Sequence, residues 1–148
     1  MGYGYGIWLV PLVKTFNTSH IPHITVSCFM DYNEAFFLYD KLKFNFGIYH
    51  KCKVLPKPVL FSKNTYLNDT NELNAWGYNV EKNKLWDSFK KVCKRYDGCF
   101  SEEPHISIEY SKDCGSFNIV PFQEKELKFR LCFVDITDDI PFNWLILK

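Results

Sequence analysis

The chain has no run of about 18 apolar residues, so no helical membrane span is expected anywhere in its 148 residues. It also has almost no net charge. Eighteen Lys and Arg stand against 17 Asp and Glu, giving +1 at pH 7, which removes the broad basic field that a long nucleic-acid duplex requires. The opening residues lack a basic segment followed by a sustained apolar stretch, so no secretory signal is expected. The six cysteines (Cys28, Cys52, Cys93, Cys99, Cys114 and Cys132) form no C-x-x-C motif and do not group with histidines at zinc spacing. Without a secretory signal they read as reduced, mostly buried thiols of a cytoplasmic protein. No P-loop, Rossmann glycine fingerprint or G-x-S-x-G motif occurs.

What the chain does have is apolar and aromatic residues, at 47% and 18%. At this length they suffice for one domain, residues 1–148, with a sizeable core. Short apolar runs predict strands over Tyr5–Val10, His23–Phe29, Ala75–Val80, His105–Tyr110, Leu127–Asp135 and Phe142–Leu147. Two more, Ile48–Leu55 and Val59–Leu67, are expected to be separated by Pro56-Lys57-Pro58, because proline removes a ladder donor. Helical spacing of Phe36, Phe37, Leu42 and Phe46 predicts a helix over Asn33–Phe46, ended by Gly47. A second helix, Lys84–Tyr96, places Leu85, Trp86, Phe89, Val92 and Cys93 on one face. Many strands with few helices indicate an α+β fold with antiparallel sheets.

The chain has four histidines, and two of them sit in matched pentapeptides. Pro22-His23-Ile24-Thr25-Val26 and Pro104-His105-Ile106-Ser107-Ile108 both read Pro-His-apolar-hydroxyl-apolar. On a strand, residues i and i+2 share a face. Each copy therefore sets an imidazole beside a hydroxyl and turns branched apolar residues the other way. Two such strands facing each other would bring two histidines and two hydroxyls to one place, a set suited to acid–base chemistry on a phosphodiester. His20 precedes His23 by three residues, but no third metal ligand accompanies them, so no metal is expected. His50 lies in the basic run 49–53 and is expected to be exposed. Lys51, Lys53, Lys57 and Lys63 are either a phosphate-attracting rim or a solvated face.

The paired tetrads resemble those of the two-histidine phosphoesterase superfamily. Tyr5-Gly6-Ile7-Trp8-Leu9-Val10-Pro11 is similar to the opening strand of the plant-type cyclic phosphodiesterases in that superfamily. His105-Ile106-Ser107-Ile108-Glu109-Tyr110 is similar to their second motif, and Phe129–Trp144, with Cys132, Asp135 and Trp144, to their last two strands. Residues 31–100 match in pattern only. The stretch between Pro11 and His23 is much shorter than in the plant-type enzymes, and Ser107 replaces the commoner threonine.

The resemblance implies a bilobal fold, with two antiparallel sheets facing a central cleft and helices outside. It implies a phosphodiesterase that needs neither metal nor cofactor, with His23 and His105 catalytic and Thr25 and Ser107 on the phosphate. Trp8 and Tyr110 would lie beside the nucleotide, although ordinary core packing is an equal reading of Trp8. Simple alternation turns Tyr110 away from His105 unless the strand ends or bulges after Ile108. The substrates implied are 2′,3′-cyclic phosphates or 2′-5′-linked oligonucleotides and cyclic nucleotides. Abundant Phe, Tyr, Asn, Lys and Ile fit an AT-rich viral gene and an enzyme that degrades an immune messenger. A monomer acting on a small nucleotide or a short RNA end, with no membrane partner, is expected. The alternative is a non-catalytic nucleotide-binding module on the same fold.

Overall fold

The computed structural model describes residues 2–12, 21–62, 74–111, 125–140 and 143–148; at 56–58, 60–62, 74–76, 107–111 and 125 the description is of the backbone. His20, Lys63, Cys114 and the shortened loop before Pro22 are therefore largely or wholly outside the described residues, as is the side chain of Lys57.

The elements run β1 (Tyr5–Pro11), β2 (His23–Met30), α1 (Tyr32–Phe46), β3 (Tyr49–Ser62), β4 (Asn74–Val80), α2 (Lys84–Cys93), β5 (Cys99–Phe100), β6 (His105–Ser111), β7 (Lys125–Asp135) and β8 (Leu145–Ile146). The chain is α+β, as expected. The strands pair as one eight-stranded sheet, seven of them in the order β1-β2-β6-β4-β3-β7-β8 and β5 beside that path on β2, and an added β1–β7 pairing closes six of them into an antiparallel barrel. Two separate sheets are thus not what the pairing gives.

One cause is β3. It was expected as two strands, but it runs as one of 14 residues. Tyr49 to Val54 pairs with β7, and Val54 and the stretch from Pro58 to Ser62 pair with β4, with a register irregularity between Val54 and Pro58. The prolines fall at the irregularity in the β4 ladder, so their missing donors coincide with a break that this ladder has in any case.

Helix α1 has local signals at both ends. The Asp31 side chain accepts from the Glu34 N–H at 2.8 Å as an N-cap. Gly47 closes the other end at φ 85° and ψ −178°, a conformation reserved for glycine, with its N–H bonded to the Lys43 carbonyl at 2.9 Å. The buried stripe is Ala35, Leu38, Tyr39 and Leu42, with Phe36 and Phe46 packed at its margin. Phe37, expected on that face, is 61% exposed. In α2, Asn83 caps the start and Trp86, Phe89 and Cys93 are buried.

These helices and all six barrel strands share the main core, which includes Ile7, Leu9, Ile24, Val26, Ile106, Phe129, Leu131 and Phe133. His50 belongs there too, contrary to expectation. It alternates in step with Cys52 and Val54, is 8% exposed, bonds the Gly47 carbonyl through Nε2 at 2.9 Å, and meets the Phe89 ring edge-on. A second, smaller core of Trp8, Cys28, Cys132, Val134, Ile136 and Trp144 is built on β1, β2, β7 and the segment that follows β7. Among the described residues, no helix is long and apolar enough to cross a membrane.

Candidate active site

Among the described residues, strands β2 and β6 meet at two paired positions, His23 with Ser107 and Ile24 with Ile106. Residues directly opposite in an antiparallel ladder share a face, and neighbours along a strand alternate. The positions of His23, Thr25, His105 and Ser107 therefore lie on one face of the sheet. Ile24 and Ile106, both fully buried, turn to the other, where the main core lies. Opposite positions have Cβ atoms about 5 Å apart and diagonal ones about 7–8 Å. The two histidines occupy a diagonal of this ladder. The sequence expected these four positions to converge, and the register brings them together.

Both imidazoles are held by the same local device. His23 Nδ1 contacts the Ile21 carbonyl at 2.8 Å, and His105 Nδ1 contacts the Glu103 carbonyl at 3.1 Å. In each case the carbonyl belongs to the residue just before the motif proline. Proline fixes its own φ and biases the preceding residue to an extended conformation, so the step returns that carbonyl toward the ring two residues on. A carbonyl only accepts, so Nδ1 carries the hydrogen. In the neutral ring Nε2 is then the basic nitrogen. Burial pushes the His105 imidazole below its ordinary range, and the bond to the Glu103 carbonyl offsets this in part.

The surroundings of His23 are aromatic. Trp8 stacks on it with centroids 3.7 Å apart and planes 7° from parallel. Trp144 meets the same imidazole edge-on at 5.9 Å and Trp8 at 5.8 Å. The Trp144 indole N–H donates to the Asp138 carbonyl at 2.7 Å. His23 is 2% exposed, whereas His105 is half-buried. Trp8 is itself 1% exposed, and its buried indole N–H has no hydrogen-bond partner among the described residues. Trp8 thus lies in a core cluster and touches a motif histidine at once.

Position 110 is brought round by a bulge. Ser107 pairs with Gly77, but Glu109 pairs with Trp76 and Tyr110 with Ala75, so Ile108 is an extra residue on β6. Ala75 and Gly77 are two apart on β4. The bulge therefore restores Tyr110 to the register of the tetrad face, the condition on which its role depended.

Two features of the site were not read from the sequence. One is the carbonyl anchor, whose signal is the Pro-His step shared by both motifs. The other is Arg130, which pairs with Val10 on one side and Tyr49 on the other. Its place on the motif's face follows from long-range register, for which the sequence carries no local sign. Among the described residues, no group of three His, Cys, Asp or Glu side chains could hold a metal ion. No protein-family model and no curated protein sequence matches the chain.

Proposed function

We propose that the chain is a phosphodiesterase of the two-histidine type acting on 2′-linked ribonucleotides, with His23 and His105 as its acid–base pair. The observation that carries this reading is the pairing of His23 with Ser107, which sets two imidazoles and two hydroxyl-bearing positions on one face. Support also comes from the matched Nδ1 anchors, which leave both rings with Nε2 as the basic nitrogen.

The lowered basicity of His105 suits it to the role of base, since it is neutral at working pH. On a 2′,3′-cyclic phosphate, His105 takes a proton from water. The water oxygen bonds phosphorus, the bond to one ribose oxygen breaks, and His23 protonates that oxygen. An imidazolium at His23 would lie on the negatively polarised face of Trp8. On a 2′-5′ linkage the free 3′-hydroxyl takes the place of water and leaves a cyclic phosphate. Thr25 and Ser107 would donate to the nonbridging oxygens as charge grows there. In this reading the barrel is two lobes of a two-histidine fold, joined at the β2–β6 seam and through β3. No metal or cofactor is invoked, and the protein acts in the cytoplasm as a monomer.

The binding-only alternative has one observation in its favour, the 2% exposure of His23. Turnover distinguishes the two. In the presence of chelator, wild-type protein is offered 2′,3′-cyclic AMP, 2′-5′ oligoadenylate, a 2′-5′/3′-5′ cyclic dinucleotide and a 3′-5′ control. The expected result is cleavage confined to the 2′-linked members, reduced about 10²–10⁴-fold in His23→Ala and in His105→Ala. Binding without turnover of any member would leave the non-catalytic module in its place.

A further inference from the structure

Leu9 pairs with Ile24, so the next residue of β1, Val10, stands opposite His23, and Val10 pairs in turn with Arg130. Arg130 is therefore two strands from His23 on the same face, about 10 Å away along the sheet. It is half-buried. Its guanidinium bends toward Cys132, giving Nη1 a contact of 3.5 Å with the thiol sulfur, and Cys132 pairs with Trp8. A thiol is a weak acceptor for a group with five N–H donors.

More positive charge continues along the same face. Lys128 is two residues from Arg130, and Lys51 is directly opposite Lys128; both are exposed. Like charges facing each other across a ladder are unfavourable. The Lys128 ammonium sits over the Tyr49 ring at 5.3 Å. Among the described residues, no carboxylate is within ion-pair distance of Arg130, Lys128 or Lys51. Glu126, on the same face, stands opposite Lys53, whose ammonium reaches Glu81 at 3.6 Å. A half-buried guanidinium and two ammonium groups, aligned with the histidines and with no carboxylate partner among the described residues, form an arrangement suited to an anion.

We propose that Arg130, with Lys128 and Lys51 behind it, is a second anion subsite. It takes the phosphate adjacent to the one held between the histidines. The preferred substrate is then a ribonucleotide with at least two phosphates, such as a 2′-5′ oligonucleotide or a cyclic dinucleotide, over a mononucleoside 2′,3′-cyclic phosphate. This inference rests on the two-histidine reading of the site.

The test compares kcat/KM for 2′-5′-linked ApA, with one phosphate, and ApApA, with two, in wild type and Arg130→Gln. Wild type is expected to prefer ApApA, and the ratio of the two constants to fall about 10- to 100-fold in the variant, as for a lost hydrogen bond to a charged group. An unchanged ratio overturns the subsite while the catalytic reading stands. Should Arg130→Gln fail to fold, the double variant Lys51→Gln/Lys128→Gln, at exposed positions, reads the same ratio. Should wild type cleave neither compound, the catalytic reading fails, and calorimetric binding of the same two compounds decides the subsite. Tighter binding of ApApA that is lost in Arg130→Gln sustains it, and equal binding overturns it.

Discussion

Trp8 lies flat against the imidazole of His23, their centroids 3.7 Å apart. One side chain thus buttresses a candidate catalytic group and fills the smaller core together. Trp8→Phe keeps an aromatic face and removes the buried N–H that lacks a described partner. It is expected to cost far less stability than Trp8→Ala, for which a loss of about 3–5 kcal/mol is expected in urea unfolding. Equal losses in the two variants would show that the stack contributes nothing specific.

The acid limb of the pH–rate profile reports the base. Burial, opposed by the Glu103 carbonyl, holds His105 below its ordinary value of 6.5, so the base form persists to lower pH than in a free histidine. The limb in kcat/KM is therefore expected below pH 6.5. A limb above that value would assign the base elsewhere.

His50 makes stability depend on pH. Its value in the folded protein is lowered from 6.5 by burial, with the bond to the Gly47 carbonyl acting the other way. Between the folded value and 6.5 the unfolded chain binds more protons. The contribution is therefore fully present above the unfolded value and is lost as pH falls through the folded one. His105 has the same sign. Comparing urea midpoints near pH 7 and about pH 5, His50→Gln should lose less stability on acidification than wild type. An equal loss would remove His50 as a contributor.

Gly47→Ala isolates a backbone effect. A Cβ there would meet no atom within 4 Å, but φ is 85°. The expected destabilisation is about 1–3 kcal/mol from conformation alone, measured by thermal or urea unfolding. A neutral substitution would mean that the helix end relaxes.

Thiol labelling separates the cysteines. Cys99 is exposed, whereas Cys28, Cys52, Cys93 and Cys132 are buried. Burial also pushes the thiols of Cys28, Cys52 and Cys93 up to about 12, and it is the thiolate that reacts. In native protein mapped by peptide, Cys99 should label well before these four, and the four should react only on unfolding. Early labelling of Cys52 or Cys93 would contradict the packing of the main core.

Much of this was legible where the signal is local. Gly47 marks the end of α1, and alternation at Leu127, Phe129, Leu131 and Phe133 marks the buried face of β7, all four residues being core members. The four tetrad positions were legible because i, i+2 periodicity fixes which side chains share a face. The rest depends on distant pairing. Nothing near Pro56 signals that β3 passes through it and stays paired with β4 on both sides. The lysine neighbours of His50 suggest solvent, but the period of two that places Lys51 and Lys53 outside places His50 inside. Arg130 is aligned with His23 only through β1, a relation that no local pattern encodes.

The seam between β2 and β6 has a consequence for ligands. Among the described residues two residue pairs join the strands there, so few ladder bonds hold the motifs at their spacing. A phosphate gripped from both strands would act as a rivet, tightening the joint on which its own recognition depends. On the proposed reading, occupancy would be felt as stiffness in strands far from the nucleotide.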